Sequence, residues 1–244
     1  HGFLGCREDW QEVATALKSN YFVIAVDLPG HGRSVDRFDQ SDYTMSGCAK
    51  RLSELMDAFD TQRSAVLGYS MGGRLALYFA VHYPDRCNTL ILESASPGLR
   101  TDQERSARRS SDAAITERLL RLPFNQFLAD WYAQPLFESL RKSSRFDQLL
   151  ERRRRNNPNE LAISLRQMGT GAQTSLWSEL DILRIPVLLL AGQLDRKFIG
   201  IADQMAKACR TSRLCIIEHA GHTLHFEAPD RYIAEVRQFL MERT

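Results

Sequence analysis

Gly68-Tyr69-Ser70-Met71-Gly72 lies directly between the apolar run Ala65-Val66-Leu67 and the helix-forming run Arg74-Leu75-Ala76-Leu77-Tyr78-Phe79-Ala80. A strand, a tight turn and a helix must therefore follow one another with no loop between them, which is the pattern of a nucleophile elbow. Glycine at 68 and 72 lets the strand and helix backbones approach closely, and the turn holds Ser70 in strained geometry with its hydroxyl pushed out above the sheet. Two further pieces follow downstream, each after an apolar strand-like run: Ala191-Gly192-Gln193-Leu194-Asp195 and Ala220-Gly221-His222.

Strand-length apolar segments occur at residues 21–26, 65–67, 89–92, 186–190 and 214–217, separated by helix-period stretches such as 45–59. Alternation of this kind predicts an α/β fold with a mostly parallel sheet and helices on both faces. Between residues 98 and 170 the strand signal disappears and the pattern turns helical, broken at Pro123, Pro135 and Pro158. We therefore expect a core of residues 1–97 and 171–244 with a helical cap, 98–170, inserted at the ligand-binding end of the sheet. A chain of 244 residues with 43% hydrophobic content can bury one substantial core. Its first residue is His1, with no initiator Met and no strand ahead of the His1-Gly2-Phe3-Leu4-Gly5 loop, so the true N-terminus is expected upstream.

The net charge of +2 reflects balanced acids and bases and gives no reason to expect a polyanionic partner. No apolar run approaches the roughly 18 residues of a membrane span, so a soluble protein without membrane insertion is expected. Five scattered cysteines, never in a C-x-x-C arrangement, read as reduced packing residues.

An alcohol is a poor base or nucleophile at neutral pH. Ser70 therefore needs a proton acceptor, which His222 can supply while Asp195 holds the imidazole's tautomer and stabilises its charged form. His219, His222 and His225 have a spacing that could suggest metal, but they follow a strand and surround Gly221, so nothing places them on one helix face. No metal and no cofactor are expected. His31, in the turn Pro29-Gly30-His31-Gly32, reads as a structural loop residue. Residues 100–166 hold thirteen arginines, including the run Arg152 to Arg155. Most must be solvated or ion-paired, and no aromatic interleaving supports a nucleic-acid surface. A few pointing inward would clamp carboxylates, since a guanidinium fork matches carboxylate geometry. Arg74, one turn after Ser70, is placed to do the same from below.

The elbow Gly-Tyr-Ser-Met-Gly-Gly-Arg, together with Ser96-Pro97-Gly98-Leu99-Arg100, Arg105-Ser106-Ala107-Arg108-Arg109-Ser110-Ser111-Asp112 and Asp130-Trp131-Tyr132-Ala133-Gln134-Pro135-Leu136-Phe137-Glu138-Ser139-Leu140, resembles the 2-succinyl-6-hydroxy-2,4-cyclohexadiene-1-carboxylate synthases of menaquinone and phylloquinone biosynthesis. These are enzymes of the α/β-hydrolase fold. The resemblance implies a lyase that eliminates pyruvate from a small-molecule tricarboxylate, without water and without a cofactor, in the cytoplasm or, in a photosynthetic eukaryote, the plastid stroma. It implies Ser70 as the base, activated by His222 and Asp195, and an oxyanion hole from the backbone N–H groups of Phe3 and Met71. It carries carboxylate binding over to Arg74, Arg108 and Arg153, with Tyr69 and Trp131 lining the pocket. A serine esterase or C–C hydrolase of the same fold would share the triad, with less reason for inward arginines.

Overall fold

The computed structural model of the chain describes residues 1–242. Four strands, β1 (Ser64–Tyr69), β2 (Cys87–Glu93), β3 (Val187–Gly192) and β4 (Ser212–Ile217), form one sheet in the order β1-β2-β3-β4. Every pairing is parallel. Because side chains alternate across a strand, Leu90, Leu92, Val187, Leu189 and Ala191 face one side while Ile91, Leu188 and Leu190 face the other. Two separate cores result. Helices α2 (Met45–Ala58), α3 (Met71–His82) and α9 (Arg196–Ala208) supply buried residues to the first core. Helices α1 (Gln11–Leu17) and α11 (Pro229–Met241) supply Val13, Leu17, Tyr232, Val236 and Phe239 to the second. Both faces are thus covered, so β3 is buried along its whole length and reads as an uninterrupted apolar run.

Residues 21–26 depart from the sequence reading. They form no regular element, no strand among the described residues pairs with them, and Phe22, Val23 and Ile24 are exposed. Apolar content alone does not make a strand, because the ladder also needs a partner backbone.

Between β2 and β3 the chain forms α4 (Asp102–Arg121), α5 (Phe124–Tyr132), α6 (Glu138–Arg141), α7 (Phe146–Arg153) and α8 (Pro158–Met168). Thr101 and Glu104 close a capping box at the start of α4. Each of the three prolines begins a new piece: Pro123 caps α5, Pro135 opens a short 3₁₀ turn, and Pro158 takes the first position of α8, where a missing N–H costs nothing. These helices share a third core of Leu119, Phe127, Leu128, Tyr132, Phe137, Leu140, Leu149 and Leu161. Leu4 and Phe226, from segments bordering the site, join it and seat the insert on the sheet layer. Only Asp112, Thr116 and Leu119 of α4 are buried, which leaves Arg109, Arg118 and Arg121 exposed. The short helix α10 (Leu224–Glu227) precedes α11. All five cysteines are unpaired, and burial pushes the Cys48 and Cys87 thiols up to about 12. Among the described residues, no helix is long and apolar enough to cross a membrane.

Candidate active site

Ser70 forms the apex between β1 and α3 with φ 51° and ψ −108°, a conformation that an L-residue adopts only at a cost. The surrounding close approaches hold it there. A Cβ on Gly68 would fall on the carbonyl oxygen of Gly72, and one on Gly72 would lie 2.5 Å from the His1 carbonyl oxygen. The Ser70 N–H donates to the Glu93 carbonyl at 2.9 Å, tying the apex to the end of β2.

Asp195 ends the β3 loop and caps α9, accepting the Phe198 N–H at 3.2 Å. Its other carboxylate oxygen lies 2.7 Å from His222 Nδ1, and His222 Nε2 lies 3.2 Å from Ser70 Oγ. A carboxylate only accepts, so Nδ1 carries the proton and Nε2 presents its lone pair to the serine hydroxyl. The Asp195 and His222 loops also touch through backbone: Leu194 N–H donates to Ala220 O at 2.9 Å, and a Cβ at Gly192 would fall on the Gly221 carbonyl. Phe198 and Phe137 pack against the imidazole at centroid distances of 4.6 and 6.2 Å.

The His1–Gly5 turn lies against the start of α3, with Gly72 N–H donating to His1 O at 3.0 Å. Among the described residues no acceptor meets the N–H of Phe3 or of Met71. The Phe3 ring meets Trp131 edge-on at 5.3 Å, and Trp131 in turn stacks near Phe127, so the insert's aromatic residues border this turn. His31 lies beside it, 5.9 Å from the Phe3 ring. Burial drives its pKa down to about 4 and leaves Nε2 without a partner among the described residues.

Tyr69 is buried, and its hydroxyl is committed to Thr223 Oγ1 at 2.9 Å. It thus links the residue before Ser70 to the residue after His222. Beneath them, His225 Nδ1 lies 2.8 Å from both carboxylate oxygens of the fully buried Glu93, and Trp10 stacks on the imidazole at 4.5 Å. Sequence reasoning missed this pair; its trace was a lone acid at the end of an apolar strand. The three histidines 219, 222 and 225 do not converge: His219 is exposed, while the other two face Ser70 and Glu93.

The three arginines fare differently. Arg74 is buried, and its fork is bonded to Gln173 Oε1 and Met168 O, both at 2.8 Å. Burial and, next, repulsion from Arg108 lower its pKa to about 10, so it stays charged at neutral pH. Arg108 donates from Nε to Asp112 at 2.7 Å and is over a third exposed, which leaves most of its fork uncommitted. Arg153 is almost fully enclosed. Its Nη1 and Nη2 meet Asp9 at 3.0 and 2.8 Å and its Nε donates to Tyr132 Oη at 3.1 Å. Burial opposes its charge, but Asp9 outweighs that and holds the guanidinium protonated above the usual range. Arg152 also meets Asp9, at 3.2 Å.

A parallel sheet with a serine elbow, a histidine after its last strand and a helical insert after β2 is the architecture of α/β hydrolases. The family model described as alpha/beta hydrolase fold matches residues 1–229. A 2-succinyl-6-hydroxy-2,4-cyclohexadiene-1-carboxylate synthase from Klebsiella pneumoniae is 37% identical over 240 residues, covering 98% of this chain and 91% of the relative. Among solved structures, MenH from S. aureus superposes with a TM-score of 0.95 at 34% identity, over 100% of this chain and 92% of that one. A thermophilic esterase from Thermogutta terrifontis gives 0.85 at 27% identity, over 100% and 88%. The chain belongs to the 2-succinyl-6-hydroxy-2,4-cyclohexadiene-1-carboxylate synthase family, and it is an enzyme, a lyase by that membership.

Proposed function

We propose that the chain converts 2-succinyl-5-enolpyruvyl-6-hydroxy-3-cyclohexene-1-carboxylate into 2-succinyl-6-hydroxy-2,4-cyclohexadiene-1-carboxylate and pyruvate. The proton on ring carbon 2 is acidified by the succinyl ketone. Ser70 Oγ removes it while its own proton passes to His222 Nε2, and Asp195 stabilises the imidazolium. The electron pair forms the C2=C3 bond, the ring double bond moves to C4=C5, and the C5–O bond breaks. The released enolate of pyruvate takes up a proton at its methylene carbon, so no water enters either product. The N–H groups of Phe3 and Met71 stabilise the developing enolate oxygen of the succinyl group.

In this reading Arg108, with Arg74 beside it, neutralises substrate carboxylates. Arg153 can join them only in competition with Asp9, and its main contribution is to brace the segment that leads from Phe3 to Asp9. Trp131 supplies apolar wall, and Tyr69 acts on the pocket from behind through Thr223. The reading needs no cofactor, no nucleic-acid partner and no membrane insertion, and its setting is the cytoplasm or, in a photosynthetic eukaryote, the plastid stroma.

The observation that carries the reading is the near-full-length likeness to a synthase, in a chain whose Ser70, His222 and Asp195 form a hydrogen-bonded line. The likeness to an esterase makes ester hydrolysis the second reading. The test is to supply the enolpyruvyl precursor and follow pyruvate release, with p-nitrophenyl esters assayed alongside. Fast pyruvate release with weak esterase activity supports the lyase. The reverse ratio removes it.

A further inference from the structure

His222 sits on the short loop between β4 and α10, and a loop of this kind has to be fixed if its imidazole is to stay within hydrogen-bond reach of Ser70. Besides the Tyr69–Thr223 and Leu194–Ala220 bonds, the Glu227 side chain holds it. Its carboxylate reaches back from the end of α10, with Oε2 accepting the Gly221 N–H at 2.8 Å and Oε1 accepting the Thr223 N–H at 2.9 Å. One anion therefore holds the amides on both sides of His222, and charge-assisted bonds of this kind are about twice as strong as neutral ones. On its other side the loop meets the insert: a Cβ on Gly221 would fall on Ser139 Oγ. Glu227 makes no hydrogen bond to Ser70, His222 or Asp195.

We propose that Glu227 is a positioning residue for the reaction, setting the place of His222 relative to Ser70 by clamping the two peptide N–H groups that flank it. The inference rests on the reading of Ser70 and His222 as a working pair, but it does not depend on which substrate they act on.

Glu227→Gln tests it with little change of shape. An amide offers one acceptor oxygen, and its NH₂ group would face an N–H, so one of the two flanking donors loses its partner. A misplacement of the imidazole by about 1 Å is expected to cost on the order of 10²-fold in rate. We expect Glu227→Gln and Glu227→Ala to lower kcat for pyruvate release about 10- to 100-fold with KM within about twofold of wild type. The rate at which an aryl fluorophosphonate labels Ser70 should fall in parallel. Met56→Ala, a cavity variant in the core on the other face of the sheet, serves as the comparison, because it is expected to lower thermal stability and that core takes in no residue of the His222 loop. All proteins are assayed well below their Tm. If folded Glu227→Gln labels at the wild-type rate, or if Met56→Ala loses as much reactivity, the proposal is overturned. Labelling is independent of substrate identity, so normal labelling of the wild type without pyruvate release would count against the lyase reading alone.

Discussion

The triad region and the arginine-rich insert hold their functional groups in opposite ways. Around Ser70 the geometry comes from backbone: a left-handed apex, glycines that admit a neighbouring carbonyl, and loops bonded to one another by peptide groups. In the insert, position depends on which acid a given guanidinium has found. Arg153 is enclosed with Asp9, whereas Arg108 shares a single Nε contact with Asp112 and keeps the rest of its fork in partial contact with solvent. Backbone constraints leave one solution, while thirteen arginines with similar side chains leave many.

Substitutions can break this contrast or make it quantitative. The largest effect is expected at Ser70. Ser70→Ala should lower pyruvate-forming turnover by about 10²- to 10⁴-fold while equilibrium binding of the precursor survives, because the proton acceptor goes and the cationic groups stay. Calorimetric titration alongside stopped-flow turnover reads both, and near-wild-type turnover would remove Ser70 from the mechanism.

Arg153 comes next, and its loss should appear as instability. Arg153→Ala takes away the enclosed partner of the buried Asp9 and leaves it Arg152 at 3.2 Å as its cation, so the loss should approach the about 3 to 5 kcal/mol of a broken buried pair, to be read from the urea midpoint. The double variant Arg153→Met with Asp9→Asn should recover much of that loss. Failure of Arg153→Ala to destabilise would mean that the pair does not brace the fold.

Arg108 should show the reverse profile. Arg108→Ala is expected to cost about 2 kcal/mol in kcat/KM for the tricarboxylate and about 0 to 1 kcal/mol in stability, with lysine restoring charge but not the fork. Equal losses for a neutral ester substrate would argue against carboxylate recognition.

The smallest effect concerns His31, whose folded pKa, about 4, lies below the ordinary imidazole value. Between about pH 6.5 and 4 the unfolded chain binds a proton that the native state refuses, so stability should fall as pH drops through that window and be flat for this group above it. Denaturation of wild type and His31→Asn at pH 7 and pH 5 should show a steeper loss in the wild type. Parallel losses would remove the assignment.

The elbow and the two downstream loops were legible in the sequence because each is a local signal, with glycines and chemically distinctive residues flanked by strand-like runs. Residues 21–26 misled because strand identity is not local. Their apolar content is real, but no described backbone pairs with them. Glu93, Glu227 and Thr223 escaped notice for a related reason: their partners are an imidazole, two peptide N–H groups and the Tyr69 hydroxyl, and nothing in a residue's own neighbourhood announces such a partner. Among the arginines, composition indicated inward charge but could not say that Asp9 would already occupy Arg153.

The claim that Ser70 and His222 act here as a base is tested most directly by the mass of the ring product formed from the enolpyruvyl precursor. Elimination predicts a ring product equal to the precursor minus pyruvate, formed by the wild type and lost in Ser70→Ala. A ring product heavier by one water would contradict the account by making the step a hydrolysis, and a covalent intermediate on Ser70 that precedes pyruvate release would contradict it by making Ser70 a nucleophile instead of a base.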